Sequence, residues 1–399
     1  MKHLAILAAL IAPVSAFADP NPADWDAVKA EAAGQTVYWN AWGGSTTTND
    51  FLAWVGSRVA EDYGVTLEHV KLTDTADAVT RVLAEKQAGE DDDGAIDMIW
   101  INGANFAAMK EADLLFGPYA EQLPNWAVVD VAGKTVQTDF TVPTDGYESP
   151  WAMAQVVFVH DTADMPNDVG SMAELLEWAQ ANPGRFSYPQ PPDFLGTTFL
   201  KQVLVDILPD PSVLSAEVTD DNYAEVTAPL WAYLDELTPN LWREGKAYPA
   251  TGTAMFPLIA DDELDLSISF SPGAASTAIA NFELPDTVRT FVLDKGTIGN
   301  ASFVTIPYNS GSKAGAMVVA NFLMSPEAQA RAQDPAILGY GTVLDMEAIT
   351  AEERAVFDGL ELGIATLTPA ELGTVQAEPH PSWATRLADD WADRYGVSQ

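Results

Sequence analysis

The stretch TVYWNAWGGSTTTNDFLAWV, residues 36–55, joins a predicted strand to a predicted helix through a turn of small and polar residues. Residues 36–39 carry β-branched and aromatic side chains, which favour a strand. From Phe51 to Val59, apolar residues recur at the spacing of one helical face. The Gly and Thr residues between them leave backbone N–H groups open to approach. The stretch is therefore either a core strand with an ordinary loop or one wall of a binding site.

Strands and helices alternate in the same way along the rest of the chain. Strands are predicted over 65–70 and 96–101, and helices over 74–88 and 105–112. A turn-rich break follows at 141–151. Beyond it, strands are predicted at 154–160, at 264–270 and at two places within 287–307, and helices from Ser171 through Trp178, after Gly196, at 314–323 and from Ser325. Such alternation is typical of an open α/β sheet with parallel pairing and right-handed crossovers.

The first 18 residues predict export from the cytoplasm. A short basic start is followed by an apolar run from Leu4 to Phe17, and residues 16–18 have the small-x-small pattern of a signal-peptidase site. We expect cleavage after Ala18 and a mature chain that begins at Asp19 in the periplasm. No later stretch is apolar enough to cross a bilayer. The absence of cysteine excludes an N-terminal lipid anchor, disulfides and thiol chemistry.

The composition indicates a well-packed and strongly acidic protein. Apolar residues make up 48% of the chain, which is enough for a core and argues against disorder. The mature length suggests two domains. The formal net charge is −39, with 58 acidic against 19 basic residues. Because phosphate backbones and anionic membranes attract clustered Lys and Arg, this balance argues against both as partners.

The sequence lacks the common motifs of catalysis, cofactor binding and metal ligation. It has no P-loop, dinucleotide-binding, nucleophile-elbow or HExxH pattern, and none of its four histidines has a partner at metal-ligand spacing. The acidic run at 90–94 lacks the Glu that closes a calcium loop and predicts a solvated turn. We therefore expect no cofactor, no metal and no catalytic residues. The alternative is a secreted α/β hydrolase that acts through two carboxylates in a cleft, because adjacent acids are frequent here.

Polar and aromatic side chains gather where the first and third predicted strands end. Trp39, Asn40 and Trp42 end the first strand, and Trp100 with Asn102 ends the third. In open α/β sheets ligands bind beyond the carboxyl ends of strands, where helix N-termini present free N–H groups. Trp39 and Trp100 are equally compatible with packing between sheet and helix, whereas Asn102 is harder to bury because its amide needs partners. Trp42, just before two glycines, is expected to face the crevice.

Four segments give the chain a resemblance to a known family. They are TVYWNAWGG (36–44), IDMIWINGANFAAMKEADLLFGPYAEQLPNW (96–126), SPWAMAQVVFVHDTADMP (149–166) and GTIGNASFVTIPYNSGSKAGAMVVANFLMSPEAQ (296–329). With them the chain resembles the family 1 extracellular solute-binding proteins of bacterial ABC importers, and most of all the YnjB-like branch of that family. The resemblance extends over nearly the whole mature chain, and the last segment is the most specific of the four.

This resemblance implies a periplasmic-binding-protein-like fold, in which hinge strands join two α/β lobes and the ligand lies in the cleft between them. Lobe one would comprise residues 19–149 plus 291–335, and lobe two residues 150–290 plus 336–399. The implied partners are a small solute and an inner-membrane permease with its ATPase, and the protein is expected to act as a monomer and not as an enzyme. Carried onto this sequence, the ligand contacts would come from Trp39, Asn40, Trp42, Ser45, Thr46, Trp100, Asn102, Asn105, Trp151, Asp193, Thr197, Thr198, Ser271, Ser276, Thr297 and Asn300.

The predicted contacts favour a small cationic or heteroaromatic solute, such as a thiamine-like compound or an amine, because tryptophan faces suit rings and cationic groups. A sugar or polyol comes second. A small anion comes third, since the predicted contacts contain no Lys or Arg and only helix N-termini could hold it. Ferric iron is not expected, because no tyrosine pair or His–carboxylate set stands near the crevice.

Overall fold

The computed structural model describes residues 19–397, and the predicted signal peptide at 1–18 lies outside them. The strands are β1 (Thr36–Trp42), β2 (Thr66–Leu72), β3 (Met98–Ile101), β4 (Thr138–Asp139), β5 (Val142–Pro143), β6 (Glu148–Gln155), β7 (Val157–Asp161), β8 (Leu266–Ser269), β9 (Val288–Phe291), β10 (Thr297–Thr305) and β11 (Val375–Gln376). The α-helices are α1 (Trp25–Ala32), α2 (Thr46–Tyr63), α3 (Ala76–Ala88), α4 (Ala104–Glu111), α5 (Met172–Ala181), α6 (Phe194–Ile207), α7 (Asp220–Leu237), α8 (Met255–Ala260), α9 (Ala274–Ala280), α10 (Lys313–Leu323), α11 (Pro326–Gln333), α12 (Ala351–Asp358), α13 (Pro369–Leu372) and α14 (Pro381–Tyr395). Among the described residues, no helix combines the length and the hydrophobicity needed to span a bilayer.

The strands form one large mixed sheet and one small antiparallel sheet, besides the short β4–β5 hairpin. The large sheet has the order β11-β10-β3-β1-β2, with β6 beside β10. The predicted parallel pairing is confirmed for β1 with β2 and β3. It is wrong for the small sheet, in which β7 is antiparallel to β8 and β9. The reason is that β7 carries the chain into this part of the molecule, whereas β8 and β9 carry it back.

The described residues form three hydrophobic clusters, of which two lie in lobe one and one in lobe two. The smaller cluster of lobe one packs α3 and α4 against β3. The core of lobe one gathers Val37 of β1, Phe51 of α2 and Met317 of α10 around the large sheet. The core of lobe two gathers Phe158 of β7 and Leu200 of α6 around the small sheet. Each lobe therefore buries its own apolar surface, and the space between the lobes is left to polar and aromatic side chains.

The strands β6 and β10 carry the chain from one core to the other. Trp151 of β6 packs in the core of lobe one, and Val156 just after it packs in the core of lobe two. Conversely, Ile298 of β10 belongs to lobe two and Ala301 to lobe one. The two strands pair antiparallel across this point. They form a two-stranded connection of the kind that absorbs rotation between lobes.

The packing departs from the predicted lobe bounds at two places. Phe291 and Ile298 lie in the core of lobe two, although residues 291–335 are predicted to belong to lobe one. Leu338 and Val343 lie in the core of lobe one, although the predicted boundary falls at residue 336. The amide of Gln329 holds this segment, because its Oε1 accepts the backbone N–H of Val343 at 2.8 Å. The chain enters the core of lobe two again at Ala365. The chain therefore returns along lobe one after α11 before it reaches lobe two for the last time.

Local signals fix several helix ends where they are predicted. The Ser45 side chain accepts the N–H of Thr48 at the start of α2, and Gly64 in the left-handed region ends that helix. Ser325 caps α11, and Pro326 takes the first helical position, as predicted. The long helices α7 and α14 lie outside the predicted elements, because α7 contains an internal proline and α14 is largely polar.

Candidate ligand site between the lobes

The predicted contacts Trp39, Trp100 and Trp151 form an aromatic cluster in lobe one. The ring of Trp151 lies edge-to-face with Trp39 at 6.4 Å and with Trp100 at 4.8 Å, and Phe51 stacks on it at 6.0 Å. Trp39 and Trp151 are completely buried, whereas Trp100 is partly exposed. Aromatic packing of this kind stabilises a core. Trp39 and Trp151 therefore support the sheet behind the cleft and present no exposed face in this conformation.

The end of β1 and the turn after it lie at the rim of lobe one. Asn40 is 5% exposed, and its side-chain amide makes no hydrogen bond within the described part of the chain. Trp42 is partly buried, and its ring covers Gly44 so closely that a Cβ on that glycine would clash. Ser45 caps α2, while Thr46 is exposed. The predicted turn thus offers Asn40 and Trp42 as free groups, and its hydroxyls serve mainly the helix.

The N-terminus of α4 is occupied by a carboxylate from the same lobe. Asp139 of β4 accepts the backbone N–H of Gly103 at 2.5 Å and the side-chain amide of Asn102 at 3.2 Å. The same amide donates to the carbonyl of Ala301 in β10 at 2.8 Å. Asn102 is partly buried here, and the predicted contact Asn105 is partly buried in the first turn of α4. The end of β3 is therefore a place where a negative charge already sits on the helix.

The turn of the β4–β5 hairpin brings an aromatic side chain over this helix end. Phe140 and Thr141 both have left-handed backbones, with φ values of 45° and 76°. The Phe140 ring lies against Gly103, where a Cβ would stand 2.8 Å from the ring. Gly103 has φ 60° and ψ −122°, a conformation that only glycine adopts readily. Glycine is therefore required here by both backbone and packing, and Phe140 points across to lobe two.

Lobe two faces this hairpin with the N-terminal half of α6. Asp193 caps the helix by accepting the N–H groups of Leu195 and Gly196 at 2.9 and 3.1 Å. Burial raises the pKa of the Asp193 carboxyl, and these two hydrogen bonds oppose the shift. The predicted contacts Thr197 and Thr198 are both buried in the first turns of α6. Asp193, Thr197 and Thr198 therefore shape the helix end rather than presenting exposed groups.

A lysine occupies the centre of the interface between the lobes. The Nζ of Lys201, on α6, lies 2.6 Å from the Oε2 of Glu378 and 4.4 Å from the centre of the Phe140 ring. The centre of the Phe194 ring lies 5.5 Å from the same Nζ. Asn300 of β10 donates to the second oxygen of Glu378 at 3.3 Å. We call Phe140, Phe194 and Glu378 the interlobe cage, because together they enclose one ammonium group.

The carboxylates around the cage differ in their electrostatics. Burial, with a smaller contribution from Glu378, raises the pKa of Asp139 to about 7, although the hydrogen bonds from Gly103 and Asn102 and the charge of Lys201 oppose the shift. Burial also raises the pKa of Glu378, although its ion pair with Lys201 lowers it in part. Glu148 is fully buried near Asp139, and burial raises its pKa well above the usual range. Because its oxygens have no hydrogen-bond partner among the described residues, Glu148 is stable there only as the neutral acid. One ammonium, that of Lys201, thus lies near two buried carboxylates, Asp139 and Glu378, whose pKa values burial raises.

The remaining predicted contacts separate into two groups. Asn300 reaches the cage through Glu378, and Thr297 uses its hydroxyl on the carbonyl of Val156 at the crossing between the lobes. Ser276 instead accepts from Ala365 and Thr366 at 3.0 and 2.7 Å inside lobe two. Ser271 is partly buried and lies 3.5 Å from the carbonyl of Leu338 in the segment that returns along lobe one. The structure therefore brings Asn300 to the cage, and not Ser276.

The charged and aromatic members of the cage were not among the predicted contacts. The predicted contacts contain no Lys or Arg, whereas the cage holds Lys201, the single ionisable side chain between Phe194 and Val205 in α6. A lone charge in an apolar helix is a signal that could have identified it, because an unpaired buried charge is costly. Glu378 has no such signal, since it lies 177 residues from its partner in the sequence.

Comparisons with known proteins agree with this architecture. Residues 55–352 match the family described as bacterial extracellular solute-binding protein. The chain is similar to protein YnjB of Escherichia coli strain K12, with 44% identity over 397 residues and 100% of both chains covered. The predicted resemblance to extracellular solute-binding proteins and their YnjB-like branch is confirmed. The family lies outside the cytoplasm, as predicted, and neither its members nor this fold support the hydrolase alternative.

Solved structures share the two-lobed fold at low sequence identity. One is the periplasmic binding protein AfuA from Actinobacillus pleuropneumoniae, with a TM-score of 0.63, 12% identity, and coverage of 92% of this chain and 100% of that one. Another is the spermidine/putrescine substrate-binding protein PotD from Streptococcus pneumoniae, with a TM-score of 0.59, 15% identity, and coverage of 90% and 98%. The predicted fold of two α/β lobes is thereby confirmed. The chain belongs to the bacterial extracellular solute-binding proteins.

Proposed function

We propose that this protein captures a small organic cation, with an amine or heteroaromatic group, between its lobes in the periplasm and delivers it to an inner-membrane permease. The observation that carries the proposal is the charge of the cluster between the lobes. Two carboxylates, Asp139 and Glu378, face one ammonium, that of Lys201. When both carboxylates are ionised the cluster lacks one positive charge. A solute with a single cationic group supplies it.

Burial makes the missing positive charge energetically costly. Asp139 is completely buried and Glu378 is 4% exposed, so water screens neither carboxylate well. An uncompensated buried charge is costly, and the raised pKa of Asp139 is the expected response. A cation placed beside Asp139 removes this cost through a charge-assisted contact. The partly buried ring of Trp42, at the end of β1, supports a solute with a ring or a methylated ammonium.

The other solute classes have less support. A small anion would seek a helix N-terminus, but Asp139 already accepts the N–H of Gly103 at the start of α4. A sugar or polyol stays the second candidate, because the amide of Asn40 makes no hydrogen bond within residues 19–397. The AfuA structure contains fructose-6-phosphate, and PotD is a spermidine/putrescine substrate-binding protein. At 12% and 15% identity these relatives share the fold with this chain and give no argument for either solute.

Both lobes supply walls of the proposed site, so capture and closure are one process. Asp139 and Phe140 belong to lobe one, while Phe194 and Lys201 belong to lobe two, and Asn300 lies on a strand that connects them. A solute that contacts both lobes favours the closed arrangement by its differential affinity. Since one chain supplies every wall, we expect a monomer to suffice.

The proposal is tested by calorimetric titration of the mature protein, residues 19–399, at pH 8. The probes are thiamine and choline as organic cations, xylose as a sugar and phosphate as an anion, and the mixtures are checked for reaction products. We expect saturable one-to-one binding of an organic cation without turnover. Asp139→Asn should weaken it about tenfold or more, the effect of losing one charge-assisted contact. Saturable binding of only xylose or phosphate would refute the cationic class, and product formation would restore the hydrolase.

A matched control separates the site from general effects of a buried carboxyl. Asp97 is also buried, and burial raises its pKa, but it lies at the amino end of β3 and accepts hydrogen bonds from Tyr38, Ser310 and Ser312. Asp97→Asn should lower stability and leave the affinity of the folded protein unchanged. Equal losses of affinity in the Asp97 and Asp139 variants would argue against a direct role of Asp139.

A further inference from the structure

Lys201 is a buried charge that the fold does not require. Its side chain is 2% exposed on a helix whose other buried positions are nearly all apolar or hydroxyl-bearing. Replacing a buried ion pair by apolar residues of similar volume is often neutral or stabilising. The ion pair of Lys201 with Glu378 is therefore weak evidence for a role in stability. Its position between two rings from different lobes is the feature that needs an explanation.

The interlobe cage has the chemistry of a receptor for organic cations. An ammonium over the face of an aromatic ring within about 6 Å is attracted by the ring quadrupole, and such cages recognise quaternary ammonium ligands. Phe140 and Phe194 stand 4.4 and 5.5 Å from the Nζ of Lys201, and the carboxylate of Glu378 completes the enclosure. The side chain that now fills the cage carries the same chemical group as the solute class proposed above.

We propose that Lys201 is a built-in competitor for the solute: its ammonium fills the interlobe cage in the unliganded protein, and the cationic group of the solute displaces it. The inference rests on the proposed function, since it assumes a cationic solute. Asp139 supplies the second negative charge that two ammonium groups require, because it is a buried carboxylate that interacts electrostatically with Lys201 and has no ion pair among the described residues. Two cations then face two carboxylates, and the buried charge is balanced.

The competitor also connects the lobes when no solute is present. Lys201 of lobe two lies against Phe140 of lobe one, and the rings of Phe140 and Phe194 approach to 6.4 Å across the cleft. The same contact that excludes weak cations thus holds the lobes together. A small inorganic or simple ammonium ion gains no more from the cage than Lys201 already does. The site then selects cations that make further contacts, such as stacking on Trp42.

The test uses tetramethylammonium, a probe that fills an aromatic cage and carries no other recognition group. Lys201→Met keeps the apolar stem and removes the ammonium, and it should tighten tetramethylammonium binding about tenfold or more. Lys201→Gln, which can still donate to Glu378, should act in the same direction and serves if the Met variant folds poorly. Weaker binding would mean that Lys201 contacts the solute directly, and unchanged binding would mean that it is only a structural ion pair. Either result overturns the proposal.

Lys313 provides a matched control. Its Nζ lies 2.6 Å from Asp19 and 5.5 Å from the ring of Phe116, so it is also a lysine between a carboxylate and an aromatic ring. It belongs to α10 of lobe one, away from the cage. Lys313→Met should leave the affinity for tetramethylammonium unchanged. A similar gain in both variants would mean that loss of any positive charge attracts the probe, and would overturn the competitor role.

Small-angle X-ray scattering without ligand separates this inference from the proposed function. The competitor role predicts that Lys201→Met loosens the lobes and increases the radius of gyration, whereas Lys313→Met does not. If no cation binds to the native protein or to the variants, the proposed function fails. An increased radius of gyration in Lys201→Met would then still support the interlobe role of Lys201. An unchanged radius together with absent binding would refute both.

Discussion

Raising the pH from 6 to 8 should tighten the binding of an organic cation, because Asp139 must lose its proton before it can pair with the cation. Burial raises the pKa of Asp139 from 3.8 to about 7, while the hydrogen bonds from Gly103 and Asn102 lower it. The charged groups that face it are Glu378, which raises the pKa, and Lys201, which lowers it. Glu148 interacts with Asp139 but is itself held neutral by burial. At pH 6, therefore, most Asp139 carboxyls in the unliganded protein carry a proton.

The size of the effect follows from the pKa. If the cation binds only the ionised carboxylate, the apparent dissociation constant scales as 1 + 10^(pKa − pH), as for any competent state that is partly populated. With a pKa of about 7, this factor is about 11 at pH 6 and about 1.1 at pH 8. The expected change is thus about tenfold, or about 1.4 kcal/mol. The same model predicts release of nearly one proton per cation at pH 6 and of about one tenth of a proton at pH 8.

The assay is calorimetric titration with thiamine at pH 6, 7 and 8, each in two buffers that differ in ionisation enthalpy. The difference in observed heat between the buffers gives the number of protons released. Asp139→Asn should abolish both the pH dependence and the proton release, whereas Asp97→Asn should keep the native profile. Affinity that is constant or increases toward pH 6, without proton release, would refute the assignment of Asp139 as the carboxylate that receives the cation.

Three further predictions concern stability and the shape of the site. The raised pKa of Asp139 stabilises the native state while this carboxyl is protonated. From pH 5 to pH 7 the unfolding free energy of the unliganded native protein, measured in urea titrations, should therefore fall by about 2 kcal/mol relative to that of Asp139→Asn. A difference between the two proteins that is the same at both pH values would contradict the raised pKa. Trp42→Ala should weaken cation binding in a fluorescence titration with little change in melting temperature. Asn102→Ala should lower both the affinity and the melting temperature, because the amide of Asn102 donates hydrogen bonds to the carboxylate of Asp139 and to the carbonyl of Ala301. Gly103→Ala should lower the unfolding free energy by more than Gly373→Ala, because the two glycines have similar backbones with positive φ but only Gly103 lies against an aromatic ring, that of Phe140. Equal losses would mean that the Phe140 ring moves aside without cost.

Much of lobe one could be predicted from the sequence because its signals are local. The spacing of apolar residues identifies β1, β3 and the helices that follow them, and Ser325 with Pro326 identifies the start of α11. Polar residues at strand ends also point to the edge of the sheet at which Asn40, Trp42 and Asn102 lie. Which of the tryptophans are buried in the core and which stay partly exposed could not be predicted. Trp39 and Trp42 stand three residues apart on one strand, and only tertiary packing buries one of them completely.

The centre of the candidate site depends on long-range contacts and was missed for that reason. Lys201 and Glu378 meet because the chain enters lobe two twice, and no spacing along the sequence reports that meeting. Phe140 sits in a two-residue turn between very short strands, a segment without periodicity. The lobe boundary near residue 336 fails for a related reason. The amide of Gln329 and backbone hydrogen bonds to Val128, Asp130 and Met153 tie the following segment to lobe one, and these contacts appear only in the folded chain.

The overall charge of −39 does not by itself select the solute. Exposed carboxylates act on distant ions only within a Debye length of about 8–10 Å at ordinary salt, so they raise the local concentration and the encounter rate of all cations alike. Selection needs charges that water cannot screen, and in the cleft these are Asp139, Glu378 and Lys201. A neutral sugar leaves Asp139 either protonated or uncompensated, and a small anion adds to the excess of negative charge. A solute with one positive charge balances the cluster. The acidic surface and the buried cluster therefore act at different steps, the first on encounter and the second on closure.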